Sequence, residues 1–159
     1  MITTKIYIKP HLAEYVVSKF GTPDGFIRFP DSLDIYHVIW DLTERRPVRC
    51  RPDDGNVEII LPDRSIGKAP ETYNYISRKS QRIISRYLEN IFLTELHAFV
   101  FDEKHRKGNP YNESVYRFIC RYEIESITED ALKKNCYRWI NRFQKRQKRA
   151  YGKQNILTV

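Results

Sequence analysis

Residues 71–107 read ETYNYISRKSQRIISRYLENIFLTELHAFVFDEKHRK, 37 consecutive positions without a glycine or proline. Tyr73, Ile76, Ser80, Ile83, Tyr87 and Leu88 recur three and four apart, the spacing of one helix face. The tract predicts a helix of about 55 Å at 1.5 Å per residue, closed by Gly108-Asn109-Pro110. Its later part, with Ile91, Phe92, Leu93, Leu96, Phe99, Val100 and Phe101, is apolar nearly all round. Such a segment calls for burial on most sides, as a central core helix or in a symmetric dimer.

Upstream of this helix the pattern is mixed. Ile2, Thr4, Ile6 and Ile8 alternate with polar or exposed types, the period of a half-buried strand. Pro10 ends it, and His11 to Phe20 predicts a short helix with Leu12, Tyr15, Val16 and Phe20 on one side. Phe26 to Phe29 reads as a second short strand, and Asp31 or Ser32 can cap a helix carrying Leu33, Tyr36, Ile39 and Trp40. Val48–Arg51 and Val57–Leu61 bracket Pro52-Asp53-Asp54-Gly55-Asn56, which predicts a β-hairpin stopped by Pro62.

Downstream, the charge becomes one-sided. The chain carries a net +8, yet residues 1–130 hold all 20 acidic side chains and 19 basic ones. From Ala131 onward there are nine basic residues and no acid. Clustered Lys and Arg gain most from a polyanion, whose counterions they displace. Nucleic acid is the partner this asymmetry favours over a membrane surface or an acidic protein.

The segment has helical organisation. Asn112 can cap a helix with Val115, Phe118, Ile119 and Tyr122, and Glu123-Ile-Glu-Ser126 reads as a turn. Two caps are open for the next helix. Ser126 with Glu129 would form a capping box, whereas Thr128 would set Ile127 against Leu132 as a hydrophobic staple. Leu132, Cys136, Trp139, Ile140 and Phe143 then make one apolar face. The opposite face presents Lys133, Lys134, Tyr137, Arg138, Asn141, Arg142 and Lys145, with Arg146 and Arg149 beyond. Lys and Arg neutralise phosphates, while Arg and Asn can pair bidentately with guanine and adenine. Tyr116, Arg117 and Arg121 could add backbone contacts from the preceding helix.

The segment from Asn112 to Arg149 resembles helix–turn–helix DNA-binding modules, with Ile124 at the buried turn position and Leu132 at a later core position. Glu123 stands where a turn glycine is usual, Ile119 where a small residue is usual, and Glu129 where a branched apolar residue would pack. A longer turn is therefore expected. The wording of the chain, especially residues 125–135, also resembles uncharacterised small proteins of Bacteroides-type mobile elements.

The expected architecture is α+β, mainly α. It comprises a small α/β region with a β-hairpin over 1–68, a long central helix over 69–108, a helix–turn–helix-like basic module over 109–151 and a tail over 152–159. The expected function is a nucleic-acid-binding regulator or accessory protein, with duplex DNA as partner and a homodimer as one possible assembly. The alternative is a protein-interaction or scaffold component whose basic helix meets an acidic partner.

Other chemistry finds little support in the residue pattern. His37 with Asp41, and Glu95, His97, Glu103 and His105, lack metal-site spacing, and no cofactor is expected. Asp53 and Glu58 resemble the paired carboxylates of metal-dependent nucleases, but Ile60 stands where such sites carry a lysine. An enzyme is therefore not expected. Cys50, Cys120 and Cys136 have no short spacing, which fits a reducing, cytoplasmic setting, and neither a secretion signal nor a membrane-length apolar run is present.

Overall fold

β1 (Thr3–Ile6) owes its place to alternation: Thr4 and Ile6 are buried while Lys5 points to solvent. It pairs antiparallel with β2 (Val57–Ile60), whose Val57 and Ile59 are buried likewise, in a register setting Thr3 opposite Ile60 and Ile6 opposite Val57. The computed structural model describes the backbone of residues 1–156 and side chains as far as Tyr151. Within it the fold is α+β and mainly α, with five helices and this two-stranded sheet.

The sheet's partner strands differ from the expected local hairpin. Val48–Arg51 forms no strand: the Cys50 amide donates to the Pro47 carbonyl at 3.2 Å, Arg49 is left-handed (φ 63°) and Val48 is 93% exposed. The reason is that both edges of β2 are taken. β1 occupies one. On the other, the Ile27 amide donates to Glu58 O and the Ile60 amide to Ile27 O, each at 2.9 Å. The strand expected over Phe26–Phe29 is thus reduced to bridges at Ile27. Asn56 continues the pairing past β1, its amide donating to Ile6 O at 3.1 Å and its side chain exchanging two hydrogen bonds with the Ile8 backbone.

α1 (Pro10–Phe20) starts with proline in its first turn and buries Leu12, Tyr15 and Val16. α2 (Asp34–Leu42) buries Ile35 and Ile39. Neither Asp31 nor Ser32 caps it; Leu33 holds the cap position without a side-chain bond, and Asp34 favours the helix dipole from the first turn. Its last carbonyls are capped from a distance by Lys68, whose ammonium donates to Asp41 O (2.6 Å), Thr43 O (2.9 Å) and Trp40 O (3.3 Å).

α3 (Arg78–Lys107) has 30 residues, about 45 Å. It begins seven residues later than the glycine-free tract. Tyr75 is used in a bridge to Glu44, and Ser77 then caps the helix by accepting the Ser80 amide at 3.3 Å. Ile84, Leu88, Phe92, Leu96 and Val100, each four apart, are its buried row. The expectation of burial nearly all round Ile91–Phe101 is not met. Phe92, Leu96 and Val100 are buried, Ile91, Leu93 and Phe99 are half-buried, and Phe101 is 40% exposed.

The chain forms two compact units, the first from Met1–Leu93 with Tyr122–Ser126, the second from Thr94–Arg121 with Ile127 onward. The division falls inside α3. In the first unit Tyr15 sits edge-on to both Phe92 (5.2 Å) and Tyr122 (5.0 Å). Residues 157–159 of the expected tail lie outside the described residues, and the backbone before them continues the last helix. Among the described residues no helix is long and apolar enough to cross a membrane.

The turn into β2 is intolerant of a side chain. A Cβ on Gly55 would lie 2.3 Å from the Ile6 carbonyl oxygen. Gly55→Ala is expected to cost roughly 1–3 kcal/mol, since backbone must move to admit the methyl, and urea unfolding measures it.

Candidate nucleic-acid interface

The second unit is built around a buried carboxylate. α3 ends with Gly108 at φ 71°, and α4 (Tyr111–Arg121) follows directly. Glu103, only 2% exposed, accepts hydrogen bonds from Lys107 Nζ (2.5 Å), Asn109 Nδ2 (2.6 Å) and Arg117 Nη1 (3.3 Å). The Lys107 bond, then that from Asn109, holds its pKa below the usual carboxylate range. Arg117 is therefore occupied, gripping Glu113 as well at 2.6 Å, instead of being free for a phosphate. Arg121 lies over the Phe99 ring at 5.9 Å, and Tyr116 is exposed, its pKa raised chiefly by the neighbouring Cys120 thiol.

The connection from α4 to the next helix runs from Tyr122 to Thr128. It is longer than the three or four residues of a tight helix–turn–helix. Glu123 adopts the left-handed region (φ 50°), the conformation for which glycine is usual there. Glu14 organises the rest of the turn: its carboxylate accepts the Glu125 amide (2.9 Å), the Ser126 amide (3.0 Å) and the Ser126 hydroxyl (2.5 Å). Burial alone would raise the Glu14 pKa, but these bonds outweigh it and keep the group low. Ser126 is thereby diverted from capping, and Thr128 takes that role, accepting the Ala131 amide at 3.3 Å.

α5 (Glu129–Ile156) packs on α4 through Leu132 and Cys136, both buried. Burial pushes the Cys136 thiol up to about 11, as befits core filler. The apolar face expected to be covered as far as Phe143 is buried only to this point. Trp139 and Ile140 are half-buried, Phe143 is 41% exposed, and every residue from Asn141 to Ala150 is exposed. The lengths explain it: α4 spans about 16 Å and α5 about 42 Å.

The residues expected to bind nucleic acid divide into two groups. Lys133 pairs with Glu129 at 2.6 Å, and the Tyr137 hydroxyl donates to Asn112 Oδ1 at 3.0 Å. Asn112 is thus a partner of α5 and not the cap of α4, which begins one residue earlier. Lys134, Arg138, Asn141, Lys145, Arg146 and Arg149 are exposed and form no ion pair among the described residues, as does Lys148. Arg142 is also exposed, its Nε donating to the Arg138 carbonyl at 3.2 Å. At 100° per residue Lys134, Arg138, Asn141, Lys145 and Lys148 fall on one stripe, and Arg142 and Arg146 turn towards the Trp139 side.

A groove absent from the expectations lies on the other side of α5, where Trp139 and Phe143 fall about 140° and about 180° round from Lys134. Thr94, His97, Ala98, Phe101, Trp139 and Phe143 line about 370 Å³ of mostly apolar space. The His97 ring stacks on Trp139 at 4.6 Å and donates through Nε2 to Asn135 Oδ1 at 2.7 Å. In the first unit, the two carboxylates considered for a nuclease are engaged otherwise. Asp53 receives Arg46 (2.6 and 2.9 Å) and Thr4 (2.9 Å), and Glu58 receives the Thr3 hydroxyl at 2.6 Å. His37 is bonded to Arg64. Among the described residues no group of three or more His, Cys, Asp or Glu could hold a metal ion.

Two predictions follow from these geometries. Glu123→Gly removes left-handed strain and is expected to raise stability by up to about 1 kcal/mol in urea unfolding, the relief being partly offset by glycine's unfolded-state freedom. The second concerns His97, whose pKa is lowered chiefly by burial, with Arg142 adding to the effect and the Asn135 bond opposing it. The unfolded histidine, near 6.5, then binds a proton more readily than the folded one, so stability falls as pH drops below about 6.5. His11, also lowered chiefly by burial, contributes in the same direction. His97→Gln is expected to flatten part of the decline below about pH 6.5, as read by urea unfolding at stepped pH.

No family model matches the chain, and no curated protein or solved structure matches it either.

Proposed function

We propose that this protein binds nucleic acid, with duplex DNA as the leading partner, and acts as a regulator or accessory factor with no chemistry of its own. The observation that carries the reading is the exposed half of α5. Residues 141–150 are solvent-accessible throughout, include Arg142, Lys145, Arg146, Lys148 and Arg149, and contain no acid. Unpaired cations on a rigid helix release counterions from phosphates without first breaking internal ion pairs. Arg138 and Asn141, mid-stripe, are the residues placed to meet base edges; Lys145, Arg146 and Arg149 would meet backbone.

Fluorescence anisotropy with a random-sequence duplex at several salt concentrations tests the proposal. Affinity is expected to fall by orders of magnitude as salt rises, and Lys145→Gln, Arg146→Gln and Arg149→Gln together to reduce the logarithmic salt slope by about 3. Arg138→Ala is expected to cost roughly 1–3 kcal/mol at a preferred site and to relax base choice there. A flat salt response, or no binding in dilute buffer, overturns the reading in favour of an acidic protein partner.

A further inference from the structure

We propose that the aromatic groove on the second unit is a stacking site for an unpaired nucleobase, so that the preferred partner is a nucleic acid carrying a bulged or single-stranded nucleotide. This rests on the reading of α5 as a nucleic-acid-binding helix and adds the class of nucleic acid.

The rings are arranged for a flat ligand. His97 lies on Trp139 with an interplanar angle of 11°, and Trp139 on Phe143 at 5.9 Å and 21°. These three rings form one near-parallel series whose outer member, Phe143, remains 41% exposed. Phe101 stands across it, 86° from Trp139 and 73° from Phe143, each at 6.4 Å. The result is a corner with one wall for stacking and one for an edge-on contact, the two favourable geometries of aromatic groups.

Charge selects among flat ligands. Arg142 is close enough to His97 to disfavour its protonation, and Arg142 and Arg146, about 80° and about 120° round from Lys134, border the Trp139–Phe143 pair on one side. No acidic side chain follows Asp130 along α5. On α3 beyond Phe101, Asp102 pairs with Arg106 at 2.8 Å, and Glu103 is buried with its own cations. The occupant must therefore pair apolar flat faces with an anionic chain. A second copy of this protein is disfavoured, because it would bring two uninterrupted basic helices together. Unpaired bases on a phosphate backbone have the required combination, and base–aromatic stacking is tolerant of sequence.

The test uses the intact protein and three probes: a fully paired duplex, the same duplex with one unpaired thymine, and that duplex with 5-iodouracil at the unpaired position. The bulged duplex is expected to bind about fivefold or more tightly than the paired one, the lower end of one stacked base. Ultraviolet irradiation of the iodouracil probe is expected to crosslink it to Trp139, Phe143 or Phe101, located by mass spectrometry. Phe143→Ala and, separately, Phe101→Ala are expected to bring the ratio of bulged to paired affinity towards one; both side chains are partly exposed, and the crosslink needs no variant. Salt-dependent binding with equal affinity for paired and bulged duplexes, or crosslinks confined to other residues, overturns the stacking site and leaves the basic helix standing. Absence of binding to every probe overturns both. Displacement of the groove's crosslink by an acidic leucine-rich helical peptide that binds more tightly than the bulged duplex reassigns the groove to a protein partner and also overturns the proposal.

Discussion

A helix of 30 residues needs a continuous apolar row to hold it, and α3 supplies one through Ile84, Leu88, Phe92, Leu96 and Val100. Residues four apart advance by 400° on a 3.6-residue helix, so each member of the row is turned about 40° from the last. The row winds around the helix instead of marking one straight face. This lets successive parts of one helix take part in different clusters: Phe92 meets Tyr15 and His11 in the first unit, and Phe99 beside the row meets Phe118 in the second. The polar ends of α3 are secured locally, by Ser77 at the start and by the Glu103 cluster near the end.

The parts of this fold that were legible in the sequence are those decided by local chemistry. Alternation over Ile2–Ile8 found β1, the absence of glycine and proline found α3, and Thr128 was already one of two candidate caps. What local chemistry could not supply was competition between distant groups. Val48 and Cys50 alternate as a strand would, but both edges of β2 are filled by residues far away in sequence. Ser126 has the chemistry of a cap and spends it on Glu14, 112 positions away. Glu123 counted as a departure from a glycine-bearing turn, yet the backbone adopts the glycine-like conformation anyway and bears the strain.

The candidate interface follows the same division. A run of basic residues without acids is a property of composition, and its exposure followed from the polar face of α5. The fate of individual side chains did not. The tie of Arg117 to the buried Glu103, 14 positions back, needed the fold, whereas the Glu113–Arg117 and Glu129–Lys133 pairs, four apart on a helix, were readable from spacing. Trp139 and Phe143 read as core because they continue the apolar face of Leu132 and Cys136. Only the mismatch between a short α4 and a long α5 shows that nothing on α4 reaches far enough to cover them, and that mismatch was available from the helix lengths.

The path of the chain through its two units has a practical side. The five residues Tyr122–Ser126 belong to the first unit, whereas the helices on either side of them belong to the second. The chain passes between units three times, at Leu93, at Arg121 and at Ser126, so neither unit is one uninterrupted stretch of sequence. A fragment beginning near Gly108 would keep α4, its turn and α5 but lose Glu14, the acceptor that fixes two turn amides, and Glu103, the acceptor that fixes Arg117. The basic helix is thus not a portable cassette: expressing it with α4 and the turn alone separates those elements from the acids that hold the turn amides and Arg117.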